Sequence, residues 1–246
     1  MKKMKFLMFA VAFVAAFVFT SCLNSDNDSN SNTFMSLCTV EHATSGVVFY
    51  PDESPKQMLV PTNATNDFDN AKRAVISYSL VEGQDTSSPT LKIVLTSNSG
   101  AVKMSKFTTV KDTLSAYNGA FIGFVDYVVG YYTYHAVNVA KGRYLNVGYN
   151  YYANKVGNTA MYANHVSNDT IYLDLLIKKE GNAYTSGNQL NCYDLQDITT
   201  LHSLGYEKIV PKQDSIYVTV KINSPEFVQP QGSNREESRT VRVPVL

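Results

Sequence analysis

Three cysteines and four histidines carry most of the reactive chemistry in this chain: Cys22, Cys38 and Cys192, with His42, His135, His165 and His202. Cys22 stands in the most telling place. It follows a basic start (Met1-Lys2-Lys3-Met4-Lys5), an apolar run from Phe6 to Phe19, and the small residues Thr20-Ser21. Those are the three parts of a secretory signal. The apolar run falls short of the ~20 residues that a bilayer-spanning helix needs. Met1–Ser21 therefore reads as a cleavable leader, and Cys22 as the first residue of the mature chain.

Val18-Phe19-Thr20-Ser21-Cys22 resembles the bacterial lipobox, in which a cysteine after small residues is diacylated before cleavage. Phe19 departs from the Leu most common there. The expected product is lipid-attached at Cys22. Each buried CH₂ contributes ~0.8 kcal/mol, so two or three chains hold where one would not. Residues 22–33 are polar after Leu23 and cannot offset their ordering entropy, so they are expected to form a flexible tether. Leu23, rather than Asp, follows the cysteine, which is unlike an inner-membrane retention signal. Asp26 and Asp28 resemble the acidic export tract of Bacteroidetes surface lipoproteins. A lipid-anchored envelope protein, at the outer membrane, is the expectation.

The remaining reactive side chains assemble into no catalytic pattern. Cys38 and His42, and His165 and Asp169, lie four residues apart, a spacing that joins ligands on a helix, yet both places read as strand or turn. No metal and no cofactor is expected. Asn66-Asp67-Phe68-Asp69-Asn70 lacks the Gly and late Glu of a calcium loop. There is no Gly-x-Ser-x-Gly and no Gly-rich phosphate loop after a strand. Cys38 and Cys192 could pair in an oxidising compartment, or remain buried and free. Two tyrosine groups, Tyr127/Tyr131/Tyr132/Tyr134 and Tyr149/Tyr151/Tyr152, suit either a binding face or core packing, and packing is favoured.

Asp112-Thr113-Leu114, Asp169-Thr170-Ile171 and Asp214-Ser215-Ile216 resemble the Asp-Ser/Thr-apolar acceptor for O-glycosylation in Bacteroides envelope proteins. Thr113, Thr170 and Ser215 are the candidate acceptors. The same residues also suit strand-entry turns.

Positioning these groups falls to strands. Val47–Tyr50, Met58–Val60, Ala74–Leu80 and Leu91–Leu95 are short apolar or alternating runs divided by Pro, Gly, Asp and Ser clusters. In Ala74–Leu80, Val75, Ser77 and Ser79 share one face and Ile76, Tyr78 and Leu80 the other. Gly142–Tyr152, Thr170–Ile177, Asp214–Ile222 and Arg239–Leu246 continue the style. Tyr144, Asn146, Gly148, Asn150 and Tyr152 fall on one face of their strand, with Leu145, Val147, Tyr149 and Tyr151 opposite. Asp194–Leu201 alone invites a turn or two of helix. A boundary near 117–126 gives domains 34–120 and 121–246, both of ordinary size.

The formal net charge is zero and Lys and Arg form no block in the mature chain, which argues against nucleic acid or an anionic lipid surface as a partner. The chain has 17 Tyr and no Trp, so a sugar-stacking platform of the usual kind is disfavoured.

The leader, an Arg73-to-Tyr78 strand, and the segment Gly142-Arg143-Tyr144-Leu145-Asn146-Val147-Gly148-Tyr149-Asn150-Tyr151 together resemble the NigD-like lipoproteins of Bacteroidetes. His165 ahead of Ile171–Ile177 also fits. The resemblance implies an all-β chain: an N-terminal OB-like barrel followed by a C-terminal immunoglobulin-like β-sandwich. It brings no catalytic or ligand residues with it. Tyr50-Pro51-Asp52-Glu53 stands where the family has an Asp-Asp-Gly turn. The expected function is a non-enzymatic envelope lipoprotein, attached to the membrane through its anchor and binding a protein or glycan partner. An envelope polymer hydrolase and a protective protein near a bacteriocin system are the alternatives.

Overall fold

The structure is a computed structural model that describes residues 33–44, 46–108, 121–153, 159–177, 185–199, 211, 214–224 and 235–244. The leader, Cys22, the tether up to residue 32, Thr113 and His202 lie outside the described residues.

Six strands come first: β1 (Phe34–Ala43), β2 (Gly46–Pro51), β3 (Met58–Pro61), β4 (Arg73–Leu80), β5 (Thr90–Leu95) and β6 (Gly100–Ala101). Their order is β1-β2-β3-β5-β4-β6, and β1 also pairs with β4, which closes five of them into a barrel. The length of β1 makes closure possible. Its first part, Phe34–Thr39, pairs with β4, and its last part, Cys38–Ala43, pairs with β2. β3 and β5 run parallel, as in an OB-type barrel. Closure leaves no exposed edge among the five strands.

Alternation sorts the barrel's side chains. Cys38, Phe49, Leu59, Ile76 and Ile93 turn inward and are fully buried. Phe49 and the three aliphatic residues each contribute about 1.5–3 kcal/mol by leaving water. A 3₁₀ turn at Asn66–Phe68 sets Phe68 edge-on against Phe49, ring centres 5.1 Å apart, and plugs one end. The carboxylates of the Asn66–Asn70 loop are thus the exterior of a core-filling turn.

The second unit is built from β7 (Met104–Ser105), β8 (Phe107–Thr108), β9 (Phe121–Phe124), β10 (Tyr127–Val129), β11 (Tyr132–Tyr134), β12 (Val137–Ala140), β13 (Tyr144–Ala153), β14 (Thr159–Ser167), β15 (Thr170–Ile177), β16 (Thr185–Asp194), β17 (Ser215–Ser224) and β18 (Arg235–Pro244). One five-stranded sheet runs β12-β13-β16-β7 with β9 also on β13, and the other runs β18-β17-β15-β14-β8. The sandwich core forms between them from residues such as Leu145, Val147, Tyr149, Leu173, Tyr193 and Val220. β7 and β8 precede residue 120 yet hydrogen-bond within the sandwich sheets, each as a short parallel partner. The all-β fold expected from the motifs, barrel then sandwich, is the fold the chain has. Of the helix expected at Asp194–Leu201, the described residues show one turn, Gln196–Thr199, started by Asp194, whose side chain accepts the Gln196 N–H at 3.1 Å.

β10 and β11 form a hairpin outside both sandwich sheets. Its two-residue loop, Gly130-Tyr131, needs the left-handed backbone of Gly130 (φ +61°). A Cβ there would come within 2.5 Å of the Met35 carbonyl, so the hairpin seats directly on the outer face of β1. Leu37, Val129 and Tyr134 bury together in this seam, with Met35 and Val75 at its margin.

Candidate functional site

The polar groups singled out by the sequence motifs meet at the seam between barrel and sandwich. Arg73 opens β4 on the outward face of the barrel, opposite Thr39, yet it is 0% exposed because the sandwich covers it. Its Nη1 donates to Asp52 Oδ1 at 2.7 Å and to Thr39 Oγ1 at 2.9 Å, while Nη2 donates to Asp52 Oδ2. Asp52 sits in the turn after β2. From the sandwich, Asn146 Nδ2 donates to Asp52 Oδ2 at 3.1 Å and to Asn138 Oδ1 at 2.8 Å. Asn138 Nδ2 in turn donates to the Tyr127 hydroxyl at 2.7 Å. Burial pulls the Arg73 pKa down, but the Asp52 carboxylate outweighs it and holds the guanidinium charged. Planar two-pronged pairing of this kind suits Arg where Lys would not serve.

Glu53 extends the same turn. It accepts from Ser36 Oγ and from the Tyr134 hydroxyl, the latter at 2.6 Å, so the Asp52–Glu53 pair grips the sandwich strands on one side and the hairpin on the other. In the sequence this pair reads as part of a turn and nothing more. The only signal was its position where the family carries Asp-Asp-Gly.

A second cluster borders the first. Asp194, at the end of β16, accepts from Arg143 Nε at 2.9 Å, Arg143 Nη2 at 2.6 Å and Lys72 Nζ at 2.7 Å. Burial pushes the Asp194 pKa up, but the bonds from Arg143 and Lys72 outweigh that and hold it at about 2. Lys141 adopts a left-handed backbone (φ 47°), uncommon for a residue with a side chain. Its ammonium reaches across to the barrel, 2.7 Å from Glu41 Oε1 and 3.1 Å from the centre of the Tyr50 ring.

These residues frame an open cleft of about 1150 Å³ between the barrel end and the sandwich. Glu41, His42, Lys72, Arg143, Tyr144 and Gln196 are among its lining groups. Its cations Lys72, Lys141 and Arg143 are each already paired with a carboxylate. The charges on its walls consequently almost cancel, and apolar groups such as Val40, Leu195, Ile216 and Val243 supply much of the lining, so the cleft is not built to capture a strong charge.

The other candidates separate. Cys38 points into the barrel core and Cys192 lies on the sandwich strand that faces the barrel; both are free and fully buried. Burial pushes the Cys192 thiol up to about 11, with the nearby guanidinium of Arg73 pulling it back. Burial, then Glu53 and Asp52, raise the Cys38 thiol well above its ordinary value. Neither is poised as a nucleophile. His42 is exposed at the end of β1, and four residues along a strand span ~13 Å, too far to share a metal with Cys38. His165 stacks on Tyr172, ring centres 4.4 Å apart, beside a bulge in β14. His135 is exposed near Asp126. No cluster of three metal-ligating side chains occurs among the described residues.

Tyr149 is buried, its hydroxyl accepting from Asn191, and Tyr127 stacks on Tyr134. Tyr131 and Tyr132, by contrast, stand exposed at the hairpin tip. Thr170 is half-buried at a turn, its hydroxyl donating to Asp169 at 3.0 Å. Ser215 is 1% exposed and its hydroxyl accepts from Arg242 Nε at 2.7 Å.

A candidate lipoprotein of Bacteroides fragilis superposes with a TM-score of 0.61 over 86% of this chain and 97% of its own, at 18% identity. The two chains share one fold. A protein of unknown function from Bacteroides vulgatus gives a TM-score of 0.53 at 13% identity, covering 85% of this chain and 90% of its own. A NigD-like immunity protein from Bacteroides caccae stands further off, with a TM-score of 0.49 at 14% identity over 86% and 94% of the two chains. No family model and no curated protein matches the sequence. At such identities the likeness reaches the backbone, so the side-chain roles at the seam rest on this chain's own geometry.

Proposed function

We propose that this chain is a non-catalytic, lipid-anchored protein of the cell envelope whose two β domains act as one rigid body and hold a protein or glycan partner at their cleft. The observation that carries this reading is the enclosure of the motif residues. Arg73 is 0% exposed and its side-chain partner Asp52 6%, and both are bonded across the domain seam instead of facing a substrate. An ionised pair of this kind contributes little to stability against an apolar replacement, but it enforces one arrangement, because breaking it strands a buried charge.

The envelope location is supported by the leader and Cys22, together with the shared fold of the Bacteroides fragilis candidate lipoprotein. The balanced charge and mixed polar and apolar lining of the cleft favour an uncharged chain, such as a glycan or an extended peptide, over nucleic acid.

Two measurements test the reading. Cys22→Ser should leave the leader uncut and abolish acyl labelling; a variant that still matures and sediments with the envelope contradicts the anchor. A photo-cross-linking residue at Gln196, on the cleft, should give adducts in cells where one at Ser238, on an exposed strand, gives none. Equal labelling from both positions, or none from Gln196, contradicts a partner in the cleft.

A further inference from the structure

Among the described residues, four large apolar side chains stand exposed: Val94, Val128, Tyr131 and Tyr132, the third at 87%. They are not scattered. Val128, Tyr131 and Tyr132 belong to the β10–β11 hairpin, whose loop glycine rests on the carbonyl of Met35, one residue into β1. Val94 points outward from β5 and pairs with Ser79, one step beyond the Tyr78–Phe34 pair that opens β1. The exposed apolar groups therefore gather around the point where the chain enters the barrel at Phe34.

The same point is tied to Cys22. From Cys22 to Phe34 the chain reaches at most about 40 Å whatever its conformation. A lipid-bearing Cys22 holds the Phe34 end of the barrel within that distance of the bilayer, so this end is the one joined to the membrane by the shortest path. The hairpin sequence Tyr127-Val-Val-Gly-Tyr-Tyr-Thr-Tyr134 has no charged side chain to oppose contact with lipid. Tyrosine, with an apolar ring and a polar tip, is enriched at the headgroup level of membranes.

We propose that the β10–β11 hairpin tip, Val128 with Tyr131 and Tyr132, is a second membrane contact that inserts at the bilayer interface beside the lipid anchor. The proposal rests on acylation of Cys22. Two or three acyl chains already hold a protein at the bilayer, so the hairpin's part is to set its orientation there. Fixing the hairpin against the bilayer turns the cleft and the outer strands of the sandwich in a constant direction.

The chain has no Trp, so a single introduced indole reports from one place. Tyr131→Trp, at an exposed position, and Ser238→Trp, on an exposed part of β18, are each made in the full lipidated chain and reconstituted into phosphatidylcholine–phosphatidylethanolamine vesicles. With the protein floating with the vesicles, indole emission from the Tyr131→Trp chain should shift to the blue and lose intensity when the lipid acyl chains carry bromine. Emission from the Ser238→Trp chain should do neither. A floating Tyr131→Trp protein whose emission is unshifted and unquenched overturns the hairpin contact and leaves the anchor standing. A chain that does not float overturns the anchor reading and this proposal with it.

Discussion

Asn146 of the sandwich donates its Nδ2 hydrogen to Asp52 of the barrel at 3.1 Å, joining residues 94 positions apart. The bond falls on a carboxylate that Arg73 already holds through two nitrogens, so one buried anion ties the two domains together. Hydrogen bonds to charged groups contribute about 1.5–3 kcal/mol each, more than neutral ones. Asn146→Ala should lower the unfolding free energy by about that amount in urea titration. Asn146→Asp should cost more, because it places a second carboxylate against Asp52.

Asp194 supplies a pH dependence with a definite sign. Its folded pKa, about 2, lies below the ordinary carboxylate value of 3.8. Its stabilising contribution is therefore complete above about pH 4 and disappears as pH falls toward 2. Stability measured between pH 5 and 2 should fall less steeply in Asp194→Asn than in the native chain. The variant should also be weaker at neutral pH, since Lys72 and Arg143 lose their shared partner.

The two buried thiols should be silent in the folded protein. Both pKa values are raised by burial, so neither carries appreciable thiolate near neutral pH. An aromatic disulfide reagent should titrate no Cys38 or Cys192 in native buffer and both in denaturant.

For O-glycosylation, exposure separates the candidates on the described residues. Thr170 is half-buried at a turn, whereas Ser215 is 1% exposed and bonded to Arg242. The intact mass of the native protein should exceed that of the lipidated polypeptide by glycan increments. Thr170→Ala should remove one increment and Ser215→Ala none; a native mass equal to peptide plus lipid contradicts the modification altogether.

Strands of clear alternation were readable from the sequence. Val47–Tyr50, Ala74–Leu80 and Leu91–Leu95 are parts of β2, β4 and β5, and Leu145, Val147 and Tyr149 turn to the core as their spacing implies. β1 was not readable, because Ser36, Thr39 and Glu41 interrupt its apolar residues and it serves two partners. Alternation puts Tyr144, Asn146, Gly148 and Asn150 on the more polar face of β13 but does not say what covers that face. The hairpin and barrel bury its first part, where Asn146 is 0% exposed and Gly148 is so closely approached that a Cβ would meet the Val125 carbonyl at 2.6 Å, while Asn150 further along stays exposed. The seam was hidden for the same reason. Asp52, Arg73 and Asn146 lie on three separate strands or turns, and nothing in local periodicity says which distant face they will meet.

Arg73 is the bolt of that seam. Urea unfolding of Arg73→Met, alongside Asp52→Asn and the double variant, measures its role most directly. Removing one partner of a buried pair leaves the other charge stranded, so Arg73→Met should lose about 3–5 kcal/mol, and the double variant should recover much of that loss. A single variant within about 0.5 kcal/mol of the native chain, or losses that simply add, would show that the domains are held together by something else.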